Sequence, residues 1–258
     1  RSLQTMTNDT NVTQFTQKRD CSLCNLSEIC LPEGLTPDEM GTLDSIIKRR
    51  KPKQKGEFIF RDGDTFTSLY AVRSGSVKTF ATGNDGSTMV TGFHLSGEIL
   101  GLEGINCKQH VGNAKALETT SICEIPFNQL SALGQDIPKL QQQVFRVLSN
   151  EIGQEQQVML LLGKKSSEER IASFLLRLAS RYHTRGFAAK EFNLSMSRSD
   201  IANYLGLAVE TVSRIFTRLT KQGIVNINRK LVMINDESAL RDIANEPQPD
   251  TDKKRTNS

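Results

Sequence analysis

The spacing of apolar and polar positions changes character several times along this 258-residue chain, and each change marks an expected element. Residues 1–20 are polar and without period, which predicts a flexible leader. Thr36-Pro37-Asp38-Glu39 then supplies an N-cap, a Pro at the first helical position and acidic first-turn residues, predicting a short helix to about Lys48. From 50 to 127, short β-rich runs such as Phe58-Ile59-Phe60, Leu69-Tyr70-Ala71-Val72 and Met89-Val90-Thr91-Gly92-Phe93 alternate with turn formers. Those turns, at Gly56, Asp62-Gly63-Asp64, Ser74-Gly75-Ser76, Asn84-Asp85-Gly86 and Ser96-Gly97-Glu98, recur at intervals of about ten residues. Many short strands with regular turns predict a β-barrel, roll or sandwich.

From about Lys139 to Leu162 the period becomes helical. Phe145, Leu148, Ile152, Glu155, Met159 and Leu162 step alternately by 3 and 4, the spacing of a coiled-coil seam with one charged member. The seam predicts a helix that joins two copies of the chain, with a helix packed on the β-rich region as the alternative. Ser166-Ser167-Glu168-Glu169 is a capping box opening a further helix that ends near Gly186. A short helix is expected after Asp236, followed by a disordered polar tail.

Between these lies Ser197-Arg198-Ser199-Asp200-Ile201-Ala202-Asn203-Tyr204-Leu205-Gly206-Leu207-Ala208-Val209-Glu210-Thr211-Val212-Ser213-Arg214-Ile215, the pattern of a helix-turn-helix. Ser197 caps the first helix, Ala202 permits a close crossing, and Gly206 suits the left-handed residue of the tight turn. The outward face of the second helix carries Glu210, Ser213, Arg214 and Arg218. Arg forks onto guanine and Glu accepts from cytosine, while Arg218 and Lys221 stand further along, toward phosphates. Two apolar runs around Asn228-Arg229-Lys230 predict a β-hairpin wing. Charge agrees: residues 164–233 hold 13 Lys and Arg against 5 Asp and Glu, in a chain whose net charge is only +4.

Composition narrows the class. With 37% hydrophobic residues, no Trp, no apolar run of membrane-crossing length and no secretory pattern near its start, the chain is expected to be soluble and cytoplasmic. No P-loop, GxSxG or HExxH motif occurs and the three His stand apart, so no enzyme is expected. Five Cys in such a protein point to thiolate ligation rather than disulfides. Cys21, Cys24 and Cys30 form a C-x2-C-x5-C run. Three thiolates and a fourth from elsewhere suit a four-iron cluster or a tetrahedral zinc. Spacing alone leaves the fourth open between Cys107 and Cys123.

A β-roll, a long helix and a C-terminal winged helix-turn-helix, in that order, resemble the CRP/FNR superfamily of bacterial regulators. Leu69-Tyr70-Ala71-Val72-Arg73-Ser74-Gly75, Thr91-Gly92-Phe93-His94-Leu95, Cys123-Glu124-Ile125-Pro126-Phe127 and Asn203-Tyr204-Leu205-Gly206-Leu207 sharpen the likeness to its FNR (fumarate and nitrate reduction regulator) branch. The resemblance implies an α+β architecture: leader (1–20), cysteine segment and β-roll (21–138), dimerisation helix (139–163), winged helix-turn-helix (164–236), then short helix and tail (237–258). It also implies that Cys21, Cys24, Cys30 and Cys123 ligate an oxygen-labile [4Fe–4S] cluster. Cys107 has no counterpart in the likeness and, as a free Cys, is expected to be a partly buried thiol. By the same likeness Glu210, Ser213 and Arg214 fall on base-contacting positions, implying double-stranded DNA with an inverted repeat of TTGAT-like half-sites. RNA polymerase is an implied partner, through a β-roll turn at Ser74-Gly75-Ser76 or Asn84-Asp85-Gly86. Relatives that bind cyclic AMP carry an Arg-Ser pair in the roll. Here residues 97–117 hold no Arg and Gly112-Asn113 stands at that position, so no cyclic nucleotide is expected.

Two recognition helices held one duplex turn apart by a two-fold dimer bind an operator where one does not. Glu155 is then the expected lever, because pairing would bring two carboxylates together in an otherwise apolar seam. Cluster insertion would shift the helix and relieve that repulsion, and molecular oxygen would reverse it. The competing expectation is a zinc-stabilised regulator indifferent to redox state.

Overall fold

The computed structural model describes residues 21–248; the expected leader and the end of the expected tail lie outside the described residues. Cys21 to Leu35 run as a chain of turns closed by i to i−3 backbone bonds, such as Ser27 N–H to Cys24 O (3.0 Å) and Glu33 N–H to Cys30 O (3.2 Å). Helix α1 (Pro37–Ile46) follows, with both bonds of the Thr36–Glu39 capping box in place.

Eight short strands come next: β1 (Lys48–Arg49), β2 (Phe58–Phe60), β3 (Ser68–Ser74), β4 (Ser76–Thr82), β5 (Thr88–Leu95), β6 (Ile99–Leu100), β7 (Asn113–Ala116) and β8 (Ser121–Pro126). A four-residue helix, α2 (Gly104–Cys107), interrupts them. They pair as two four-stranded sheets, β1-β8-β3-β6 and β2-β7-β4-β5. Phe60, Val72, Val77, Leu100 and Ala114, drawn from both sheets, meet in one buried core, which makes the pair a roll. Gly75 joins β3 to β4 at φ 82°, where a Cβ would lie 2.6 Å from the Thr119 carbonyl. Only glycine fits that turn.

Helix α3 (Phe127–Asp136) was not foreseen; the sequence pattern assigns no element of its own to residues 128–138. Its apolar residues Leu130 and Leu133 pack on Leu43, Leu69 and Leu140, a tertiary contact that a single-turn spacing does not announce. Helix α4 (Pro138–Lys164) then runs 27 residues, about 40 Å at 1.5 Å per residue. Helix α5 (Ser167–Thr184) opens on the Ser166–Glu169 capping box and buries a stripe including Ile171, Phe174, Leu175 and Leu178. The C-terminal unit is completed by β9 (Glu191–Asn193), α6 (Arg198–Leu205), α7 (Val209–Lys221), β10 (Val225–Asn228), β11 (Leu231–Ile234) and α8 (Glu237–Ala244). The wing is three-stranded, β10-β11-β9, because β9 adds to the expected hairpin. No described helix is long and apolar enough to cross a membrane.

Candidate metal centre and nucleic-acid interface

The cysteine segment folds back onto the roll. Leu31 and Leu35 sink into a core shared with α1, β3 and β8, and the Cys21 N–H donates to Asp44 Oδ1 of α1 at 2.8 Å. Cys123 stands mid-strand in β8, paired with Ala71 of β3 on one side and Arg49 of β1 on the other. The outcome is one cleft of about 30 Å³ lined by Cys21, Cys24, Cys30 and Cys123, with walls from Leu26, Leu31, Leu43, Ile47 and Val72. Cys107 lies elsewhere. It ends α2 and is exposed, which corrects the expectation of a partly buried thiol: α2 is a single turn, and its C-cap Lys108 is left-handed (φ 56°).

Burial raises the Cys21, Cys30 and Cys123 thiols. Cys30 is pushed up to about 12 by desolvation, with Cys123 and Cys24 adding to the rise. Cys21 is raised by burial and then by Asp44, against Arg49; Cys123 is raised by burial against Arg49 and Arg73. Ligation here must therefore release protons and bring compensating charge. Two cations stand ready. Arg49 pairs with Asp44 and reaches Cys21 Sγ at 3.9 Å, and Arg73 lines the cleft. Asp44, Arg49 and Arg73 were missed in the sequence because their approach to the cysteines is set by sheet register, not by motif.

The donor set is all sulfur, which fits zinc or an iron–sulfur group. A zinc draws four thiolates to within about 2.3 Å of one point, whereas in a four-iron cluster each thiolate holds a different iron. Among the described residues no three Cys, His, Asp or Glu converge on such a single point. The sulfur-lined cleft therefore fits either group by its donor chemistry.

At the other end, Ser197 caps α6 through a full capping box with Asp200, and Gly206 turns the chain at φ 63°. Ile201, Leu205, Val212, Ile215, Phe216 and Leu219 bury the inner faces of α6 and α7. Glu210, Ser213, Arg214 and Arg218 all remain exposed on the outer face of α7. No ion pair joins Glu210 to Arg214 among the described residues. Arg218 is held differently, 2.6 Å from Glu168 of α5. Arg198, at the start of α6, stacks over Phe216 at 4.0 Å.

On α4, Phe145, Ile152 and Met159 are 61, 56 and 64% exposed, a line of large apolar side chains repeating every seven residues. Leu148 and Leu162 are half-buried and Glu155 is exposed. Leu148, Ile152, Glu151 and Glu155 also wall a cavity of about 390 Å³ against the roll, with Glu103, His94, Phe60, Asn113 and Gly112 opposite. Among its charged lining residues every one is a glutamate. Of the two turns expected to meet polymerase, residues 84–86 are fully exposed, whereas Ser76 is buried with its hydroxyl on Glu118 at 2.7 Å.

Comparison with known proteins agrees with the fold. A family profile for the Crp-like helix-turn-helix domain matches residues 169–243, and one for the cyclic nucleotide-binding domain matches residues 50–136. The transcriptional activator protein anr of Pseudomonas aeruginosa is 50% identical over 220 residues, covering 85% of this chain and 90% of that one. The fumarate and nitrate reduction regulatory protein of Yersinia pestis is 44% identical over 229 residues, covering 89% and 92%. This chain belongs to the FNR branch of the CRP/FNR family. It is a DNA-binding transcription regulator and not an enzyme. Among solved structures, FixK2 from Bradyrhizobium japonicum superimposes on 79% of this FNR-type chain and 99% of its own, with a TM-score of 0.71 at 28% identity.

Proposed function

We propose that this regulator responds to oxygen through a [4Fe–4S] cluster held by Cys21, Cys24, Cys30 and Cys123, and binds TTGAT-N4-ATCAA-like DNA as a dimer joined along α4. The observation that carries this reading is the single cleft lined by four cysteines, one of them nearly a hundred residues distant in sequence from the other three, with the fifth cysteine exposed elsewhere. A cluster bound there would supply an oxidant-labile core whose loss returns four thiols, Cys21 buried and the other three half-buried. Arg49 and Arg73 offset the thiolate charge, and the apolar walls limit access to small molecules.

The cysteine loop is fastened to the dimer helix. Glu33 forms an ion pair with Arg146 of α4, and Leu31 and Leu35 share their core with Leu140, Val144 and Val147 of the same helix. A shift of the loop therefore moves α4. The exposed Phe145, Ile152 and Met159 are the surface that a second copy covers, and Glu155 sets the resistance to that pairing. Coupling of about 1–3 kcal/mol is enough to move a marginal monomer–dimer balance. The all-glutamate charged lining of the roll cavity opposes a cyclic nucleotide phosphate. Polymerase would meet the exposed turn at Asn84-Asp85-Gly86.

Protein purified without oxygen is expected to carry about four irons and four sulfides per chain and to lose operator binding when air is admitted. Zinc in place of iron, with binding indifferent to air, would sink the oxygen reading and favour the redox-independent regulator.

A further inference from the structure

The cysteine loop touches a second element besides α4. Ile29, which closes the turn from Leu26 with its N–H on Leu26 O, packs on Gly97, where a Cβ would lie 2.8 Å from Ile29 Cδ1 and φ is 90°. No side chain fits there on either ground. The turn that Gly97 occupies, Ser96-Gly97-Glu98, is also bonded to a wall of the cysteine cleft. Gly97 N–H donates to Val72 O at 2.7 Å and Val72 N–H donates to Glu98 O at 2.9 Å.

The other side of the same turn is gripped by the DNA-binding unit. From α5, Arg181 Nε donates to Glu98 Oε1 at 3.0 Å and Arg181 Nη2 donates to Glu98 Oε2 and to Phe93 O, each at 2.5 Å. Just beyond α5, Arg185 pairs with Glu98 and donates from Nε to Ser96 O at 2.6 Å. A second point of attachment lies on β5: Asn203 of α6 accepts from Val90 N–H (2.5 Å) and donates to Thr88 O (2.7 Å), while Asp200 pairs with Lys78. Phe93, Phe174 and Tyr204 fill the space between, with ring centroids 5.1–6.1 Å apart. Two polar anchors and an aromatic wedge together hold the helix-turn-helix on the roll.

We propose that the Ser96-Gly97-Glu98 turn couples the cysteine loop directly to the DNA-binding unit of the same protomer, with Glu98 as the positioning residue for the recognition helix. This rests on the cluster reading above, and adds to the α4 route a second one that does not pass through the dimer seam. Movement of Ile29 on cluster loss changes the seat of Gly97, the Val72 bonds transmit the change to Glu98, and Glu98 releases or re-aims Arg181 and Arg185. Contiguity of contacts does not by itself measure coupling, so the test must.

Hydrogen exchange is measured on anaerobic and air-exposed protein, with iron, sulfide and dimer fraction read in the same samples. In the wild type, air is expected to speed exchange at residues 96–98 and in the last turn of α5. Glu98→Gln is expected to show fast exchange at that turn in both states and, with iron content and dimer fraction unchanged, to bind operator about tenfold more weakly. Arg181→Lys, which keeps the charge and loses the fork, should fall between the two and serves if Glu98→Gln folds poorly. Ile29→Ala should retain iron and lose the air response at 96–98. An intact cluster whose loss leaves α5 exchange unchanged overturns this proposal alone, as does operator binding at wild-type strength by Glu98→Gln. Absence of iron and sulfide overturns the cluster reading and this one with it.

Discussion

A single residue decides most at the cysteine cleft. Among the described residues, Arg49 is the cation that both reaches a thiol and pairs with the carboxylate anchoring that thiol's backbone, since Asp44 accepts from Cys21 N–H and from the Arg49 guanidinium. Replacing it with Met keeps the stem and removes the charge. Arg49→Met is expected to lower iron retention about tenfold, as loss of an outer-shell partner commonly does, measured as iron per chain during anaerobic dialysis against a chelator. Cys107→Ser, at an exposed position away from the cleft, should leave retention unchanged. At the opposite end, Arg214 stands exposed on α7. Arg214→Ala should weaken operator binding by about 1–3 kcal/mol and relax preference at one base pair, read by titrating single-base operator variants.

At the scale of elements, α4 carries an exposed apolar line and a cavity wall that overlap at Ile152. Phe145, Ile152 and Met159 stand exposed, while Leu148, Glu151, Ile152 and Glu155 line the roll cavity. Burial raises the Glu151 carboxyl to about 7, helped by Glu98 of the roll, Glu155 of the same helix and Glu103, against Arg181 of α5. A carboxyl raised in the folded state adds stability below its ordinary value of about 4.5 and loses it as pH climbs through 7. Glu151→Gln should therefore raise the melting temperature more at pH 8 than at pH 5, and equal gains at both would show that this carboxyl titrates normally. Element by element, the chain was legible where signals are local: the capping boxes at Thr36, Ser166 and Ser197 and the Gly206 turn are written in neighbouring residues. Helix α3 and strand β9 were not, because Leu130 is buried by Leu43 and Leu140 and β9 exists only by pairing with β11. The metal-side residues followed the same rule. The three loop cysteines announce themselves by spacing, whereas Asp44, Arg49 and Arg73 reach them only after the sheet has closed.

For the whole molecule, the junction of roll and DNA-binding unit concentrates its buried charge around Glu98, and acid should open it there. Burial would raise the Glu98 carboxyl, but Arg181 and Arg185 outweigh that and bring it down to about 2. Nearby His94 is lowered to about 4 by burial, Glu98 partly opposing and Arg181 adding to the drop, with its Nε2 3.1 Å from Thr79 Oγ1. Both groups are depressed in the folded state, so both add stability above their ordinary values and lose it as pH falls. For His94 the loss runs from about 6.5 down to 4, and for Glu98 from about 4.5 down to 2. The two windows adjoin, so acid titration of the wild type should give a broad decline in melting temperature beginning below neutrality. His94→Gln should flatten its upper part and Glu98→Gln its lower part. Loss of Glu98 leaves Arg181 buried without its carboxylate, so that variant should also start lower at neutral pH. If instead the junction opened independently of these groups, both variants would follow the wild-type curve at a constant offset. Calorimetry between pH 3 and 8 separates the cases, and exchange rates along α5 show whether the same residues that hold the junction against acid also hold it when the cysteine loop moves.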